Sequence, residues 1–248
     1  MNRKLVYDLP TRAFHWVFAG LFITAFTIAK TIDDESASFS WHMLAGLTLA
    51  PVVLLRILWG VVGTKHARFS DFVLAPRELL RYFRGIFSGD KAHWVGHNPA
   101  SSWAALAMMG LVLAQVLTGW LMASGGDPEV LEDLHELTAN ALIILAVLHV
   151  AGVVLHRLRH GEMIARSMVD GRKAHVPDSE AIRSPRTVFG LLFIAIVAAF
   201  ALQLSNNFDG HRRVVTVFGT TLQLGESGEQ DGRQAQDRRE EDDDGHDK

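Results

Sequence analysis

The sequence predicts an all-α membrane protein, a bundle of five spanning helices, and three observations carry that reading. Hydrophobic residues make up 49% of the 248 residues although the C-terminal end is very polar, a share seldom reached by a soluble globule of this length. Five apolar stretches are each long enough for a hydrocarbon core of about 30 Å, which takes roughly 20 helical residues. Basic residues fall in every second connection between those stretches, the pattern expected when Lys and Arg stay on the cytoplasmic side.

The first stretch, Phe14 to Ile32, follows a basic start of Arg3, Lys4 and Arg12. A cleaved signal peptide would begin the same way, and Thr27-Ile28-Ala29 loosely resembles a cleavage site, but the apolar run has the length of a span. The second stretch, His42 to Val62, is entered through Asp33, Asp34 and Glu35 and left through Lys65, Arg68, Arg77, Arg81, Arg84 and Lys91. Inside that basic connection, Pro76 to Phe87 reads as a short amphipathic helix on the membrane surface, with Arg77, Arg81 and Arg84 spaced for one face. Trp103 to Met122 is the third stretch, and Asp127, Glu129, Glu132 and Asp133 lead to the fourth, Leu134 to Leu155. Arg157, Arg159, Arg166, Arg172, Lys173, Arg183 and Arg186 then precede the fifth, Val188 to Leu204.

This alternation places the N-terminus in the cytoplasm and residues 205–248 in the periplasm, with the chain crossing a bacterial inner membrane. The last segment ends in Glu240, Glu241, Asp242, Asp243 and Asp244 and lacks the apolar residues to form a core, so a polar, disordered tail is expected there. No internal repeat and no strand-rich domain is expected. The expected surroundings are a lipid bilayer, and no nucleic-acid partner is expected. The net charge of −3 decides little, because acids and bases occupy different segments.

The chain has no Cys, which excludes disulfides, thiolate-bound zinc, iron–sulfur clusters and attachment of a cofactor through Cys thioethers. Any metal must be held by His, Met or carboxylate. Five histidines lie in or at the ends of the spans: His15, His42, His135, His149 and His156. A single histidine there could simply be a core residue bonded to a neighbouring carbonyl, but the spacing argues for more. His135 and His149 are fourteen residues apart, roughly 21 Å of helix axis and nearly a whole number of turns, so both point the same way at two depths. His42 opens the second span at the outer surface, level with His135, and His15 opens the first at the inner surface, level with His149. Two facing pairs stacked across a membrane are what two six-coordinate haems need, each iron taking one imidazole from each of two helices. Gly46 and Gly152 lie near His42 and His149 on the same helix faces and leave room for flat macrocycles, though small residues also serve ordinary helix packing.

Arg56 lies fourteen residues after His42, at the depth of the inner pair. A buried arginine needs an anionic partner, and a haem propionate would supply one; the alternative is that Arg56 snorkels to the headgroups. No span carries Asp or Glu away from its ends, so neither an ion-transport relay nor a di-iron carboxylate site is expected. A haem-free, histidine-lined metal transporter or membrane receptor stands as the alternative.

Several stretches resemble the prokaryotic cytochrome b561 family, which includes the cytochrome b subunits of nickel–iron hydrogenases and related formate dehydrogenase anchors. They are Tyr7 to Trp16 (YDLPTRAFHW), Arg56 to Gly60 (RILWG), Ala67 to Phe72 (ARFSDF), Gly96 to Ala100 (GHNPA) and His135-Glu136 through to His149. The resemblance runs from about Leu5 to Lys173 and implies a four-helix transmembrane bundle over residues 1–175 holding two haems b, with His15, His42, His135 and His149 as ligands. Residues 176–204 are then a linker and a fifth C-terminal transmembrane helix, which with the tail departs from the four-helix pattern. The resemblance also implies quinone chemistry, since an asparagine matching Asn98 lies near the quinone in similar anchors; alternatively Asn98-Pro99 merely caps the third span. The expected function is electron transfer in a respiratory chain between quinone or quinol and a partner, either a hydrogenase or dehydrogenase subunit or a periplasmic cytochrome c. The acidic tail, which could attract a basic cytochrome, slightly favours the latter.

Overall fold

The computed structural model describes residues 3–88 and 94–225. Lys91 and the acidic run 240–244 lie outside the described residues. Strand β1 (Lys4–Leu5) leads into α1 (Leu9–Thr31), α2 (Ser40–Val62), α3 (Pro76–Ser88), α4 (Pro99–Ala123) and α5 (Pro128–His160). Then come α6 (Ser167–Asp170), β2 (Arg172–Lys173), α7 (Thr187–Asn206), β3 (Phe208–Asp209), β4 (Val214–Val217) and β5 (Thr220–Gln223). Among the described residues five helices are long and apolar enough to cross a membrane: α1, α2, α4, α5 and α7. Each contains the span expected for it except at its edges: α1 stops one residue early, whereas α5 runs several residues past both expected ends.

The helix starts follow from local chemistry. Asp8, Asn98 and Asp127 cap α1, α4 and α5, each accepting a backbone N–H of the first turn, and each of these helices has proline in its first two positions. That is the position where a missing N–H costs nothing. Gly161 ends α5 with a positive φ of 68°, a conformation that favours glycine. The helix α3 forms where its amphipathic pattern predicts and packs on α4.

Packing divides the bundle into two pairs, α1 with α2 and α4 with α5, joined mainly by α2 on α4. The helix α7 lies against α1 and α2, where Phe193 and Val197 meet Ala13 and Val52. By contrast α5 stands apart from α1 and α2. Leu142 alone is buried among its described side chains, in a cluster with Leu49 and Val53 of α2 and Met109 and Val112 of α4.

At one end of the bundle, Asp8 ties α1 to α2. It is fully buried, and besides its cap bond to the Thr11 N–H it accepts from Trp59 Nε1 at 3.0 Å and Thr64 Oγ1 at 2.6 Å. The N-terminus is held beside the segment after α5 by the β1–β2 pairing and by an Arg3–Asp170 ion pair.

At the other end the expected disordered tail is corrected over residues 208–224. Strands β3, β4 and β5 form an antiparallel meander, and Val215, Val217, Leu222 and Leu224 pack with Leu44 and Leu47 of α2, Ala123 of α4 and Leu204 of α7. Alternation from Val214 to Leu224 puts one apolar row inward, and the turn at Phe218-Gly219 has positive φ at both positions, 50° and 83°. That backbone matches the two-residue hairpin turn whose twist suits the strands. The polar composition of the whole tail had hidden eleven residues with a strand pattern. Ser40 Oγ donates to the Leu224 carbonyl at 3.1 Å, fixing the sheet to the start of α2.

Replacing Asp8 by Ala leaves the buried Thr11 N–H and the partly buried Trp59 Nε1–H and Thr64 hydroxyl without their acceptor. A loss of about 3 kcal/mol in stability is expected from the lost cap and charged hydrogen bonds, read as an earlier thermal unfolding transition of the detergent-solubilised protein; an unchanged midpoint would mean that Asp8 does not hold α1 to α2.

Candidate functional site

The spanning histidines fall at two levels separated by the Leu142 layer. At the level near the sheet, the rings of His42 and His135 lie 6.2 Å apart, centre to centre, at an interplanar angle of 71°. Each has its Nδ1 occupied. His42 Nδ1 lies 2.8 Å from the Ala25 carbonyl, which can only accept, so this nitrogen carries the proton. His135 Nδ1 lies 2.7 Å from Thr118 Oγ1. That hydroxyl spends its own proton on the Ala114 carbonyl at 2.9 Å, so it accepts from the histidine. Both rings are thereby held with Nε2 as a lone-pair donor, which is how a metal-ligating imidazole is oriented by the partner of its other nitrogen. Phe39 stacks on His42, with ring centres 5.1 Å apart.

At the other level lie His15 of α1 and His149 of α5. The buried His15 Nδ1 has no hydrogen-bond partner, and Trp16 meets the ring edge-on at 5.1 Å. Arg56 is near them in depth and only 4% exposed, so it does not snorkel. Its guanidinium lies 5.7 Å from the Phe14 ring centre and 5.2 Å from that of Phe69, and its buried Nη1 makes no hydrogen bond. A buried guanidinium N–H without an acceptor is costly, and this one sits where an anionic group would satisfy it.

Beside Arg56 sits His97, between the Phe72 ring at 4.6 Å and the Tyr7 ring at 5.9 Å. Burial pushes it down to about 3, and the nearby Arg56 and Lys173 push the same way, so it is a neutral imidazole; its buried Nδ1 has no partner. Lys173, lowered to about 8 by burial with Glu162 opposing, donates to the carbonyls of Val95 and Gly96. The buried His66 sets Nδ1 2.8 Å from Asp71 Oδ2 and Nε2 2.9 Å from the Glu180 carbonyl. Gly96 fits only because it has no side chain: a Cβ there would come within 2.8 Å of both Asp71 Oδ2 and His66 Nδ1.

Asn98 is placed as the cap of α4. Its Oδ1 accepts the Ser101 N–H at 2.8 Å, and its Nδ2 donates to the Tyr82 hydroxyl of α3 at 3.2 Å. His156 lies away from both levels, 4.0 Å from Glu162 and stacked on His160. The residues that the sequence reading missed are Thr118, the Ala25 carbonyl, Asp8 and His66. A hydroxyl inside an apolar span was a usable signal for Thr118; a backbone acceptor has no sequence signal.

These features suit haem better than a bare metal ion. Two imidazole–metal bonds of about 2 Å each, with the ring radii, separate the ring centres by roughly 6 Å, which the His42–His135 pair matches. Among the described residues no group of three or more His, Cys, Asp or Glu is placed to hold a metal ion. A Cβ on Gly46 or Gly152 would meet nothing within 4 Å, so both faces are open beside the histidines.

The class this bundle defines is a multi-pass membrane protein with histidines at two levels of its spans. The match that specifies it is to the profile of the prokaryotic cytochrome b561 family over residues 6–171, and the chain belongs to that family. Similar curated proteins are described as probable Ni/Fe-hydrogenase B-type cytochrome subunits. The one from Bradyrhizobium diazoefficiens is 24% identical over 209 residues, covering 68% of this chain and 85% of that protein. The one from Rhodobacter capsulatus is 23% identical over 220 residues, covering 70% and 82%, and that of Escherichia coli K12 is 20% identical over 216 residues, covering 68% and 90%. No solved structure matches the chain. A b-type cytochrome carries haem b, so the chain is a membrane protein of electron transfer.

Proposed function

We propose that this chain is a di-haem cytochrome of the bacterial inner membrane, passing electrons between the quinone pool and a partner redox protein of a respiratory chain. The observation that carries the reading is the outer pair, His42 and His135, facing each other with both Nδ1 atoms already bonded. His15 and His149 would hold the second haem b, and Arg56 would take a propionate with its unpaired Nη1. Bound haem supplies one-electron chemistry. The chain's own residues fix the imidazole tautomers, keep an apolar layer between the two levels and supply buried cations at the inner one. The partner is better taken as a hydrogenase subunit than as a periplasmic cytochrome c, because the relatives are named for hydrogenase.

The haem assignment is tested by haem-to-protein ratios and low-temperature spectra. His149→Ala should remove or convert only the inner haem and His42→Ala only the outer one. His15→Ala combined with His149→Ala should cost no more haem than either alone, whereas His15→Ala with His42→Ala should abolish both. An additive loss from His15 and His149 would sink the pairing.

The quinone is placed near the inner haem, bordered by Asn98 and, beside it, His97. One amide hydrogen of Asn98 remains after its cap and Tyr82 bonds. Asn98→Ser keeps a capping oxygen and removes the amide. Quinol-driven haem reduction should slow severalfold in this variant with haem content intact; a wild-type rate would leave Asn98 as a cap only.

Orientation follows from the loop charges, with the N-terminus cytoplasmic and the sheet periplasmic. Reporter fusions after Arg172 and after Gly225 should give opposite readings, and matching readings would mean that α7 does not cross.

A further inference from the structure

At the end of the bundle remote from the sheet, a cavity of about 230 Å³ opens beside the C-terminus of α5. Arg3, Arg166, Arg172 and Lys173 contribute to its lining beside the single carboxylate of Glu162; the Arg3 guanidinium is bonded to Asp170 and the Lys173 ammonium to the Val95 and Gly96 carbonyls, which leaves Arg166 and Arg172 as the cations best placed for a ligand. Asp170 beside it pairs with Arg3 and Arg166, which still leaves the cluster with a positive surplus. Arg172 gives one N–H to the Arg3 carbonyl at 3.3 Å, and a guanidinium has five N–H donors. The walls are braced by the β1–β2 pairing and by backbone bonds from Val6 and Tyr7 to the Gly171 carbonyl, so the charges are held together before any ligand arrives.

The surroundings say what kind of anion suits this place. The cavity wall includes Met163, about half exposed, and nearby Val169 and Leu158 are more exposed still. Trp16, also half exposed, donates its Nε1–H to the Met168 carbonyl at 2.8 Å. Indole side chains collect at the membrane–water boundary, where one edge is wet and the rest is apolar. The cations thus lie at headgroup depth with apolar side chains alongside.

We infer that this cavity holds the phosphate headgroup of an anionic phospholipid from the leaflet reached by the C-terminal end of α5. The inference rests on the membrane spans and is independent of the number of haems and of the quinone. Basic pockets at this depth recognise anionic headgroups through charge and hydrogen bonds. Free phosphate shares that chemistry, but the apolar lip and the boundary tryptophan favour a ligand that carries acyl chains.

The test uses the full-length, haem-loaded protein in a zwitterionic detergent, titrated in turn with phosphatidylglycerol, phosphatidylcholine and inorganic phosphate. Native mass spectrometry counts bound lipid, and thermal unfolding follows the stabilisation. Phosphatidylglycerol should be retained and raise the midpoint, and the other two should do neither at equal concentration. Arg166→Gln with Arg172→Gln should weaken phosphatidylglycerol binding roughly 30-fold, as expected for two lost surface charges. Arg77→Gln with Arg84→Gln makes the same charge change on exposed α3 and should leave binding close to wild type. Equal weakening by both double variants would reduce the site to general surface charge and overturn the inference. Phosphatidylcholine retained as well, or phosphate as effective as the lipid, would also overturn it. Should the Arg166 and Arg172 variant misfold, Arg172→Gln alone takes its place, with a weakening of roughly fivefold expected for one lost charge and Arg84→Gln as its control.

Discussion

The contact on which the bundle depends is the one at the middle of α5, where Leu142 enters the layer of Leu49, Val53, Met109 and Val112. In lipid there is no hydrophobic drive to close a gap between helices, so helices approach only where their surfaces fit. Here α5 fits along α4, and its Leu142 reaches the shared core. Seven residues to either side on the same helix come His135 and His149. The layer therefore keeps the two histidine levels apart, and the loose seam between α5 and the α1–α2 pair leaves space at both.

The two levels satisfy their polar atoms differently. At the one near the sheet, protein groups bond one nitrogen of each histidine: the Ala25 carbonyl for His42 and the Thr118 hydroxyl for His135. At the other, Arg56 Nη1, His15 Nδ1 and His97 Nδ1 are buried without hydrogen-bond partners. Each such atom in a low-dielectric interior costs free energy, and three so close in depth support a bound group with acceptor oxygens at that end. The pair near the sheet is thus held by protein groups alone, whereas the other level leaves three polar atoms unsatisfied.

All the stretches that carry the family resemblance except His135 to His149 meet at one end of the bundle. The Tyr7 hydroxyl donates to the Gly96 carbonyl, Tyr7 and Phe72 flank His97, and Asp8 takes the Trp59 indole. His66 and Asp71 press against Gly96 so closely that no side chain fits there. Residues read as separate short motifs are one buried assembly that braces α1, α2 and α4 around Arg56.

The sequence by itself determined the spanning helices and the two levels at which their histidines fall. Apolar length and a rise of about 1.5 Å per residue are local properties, so no distant partner can alter them. Only the tertiary structure decided that Arg56 is boxed between Phe14 and Phe69 instead of snorkelling, that Ala25 and Thr118 orient His42 and His135, and that Asn98 caps α4 while touching Tyr82. The same holds for residues 208–224, whose alternation was present in the sequence but whose stability comes from Leu44, Leu47, Ala123 and Leu204 on three other helices. A short apolar strand row has nothing to bury against until those helices are assembled, because two or three small strands alone make too little core.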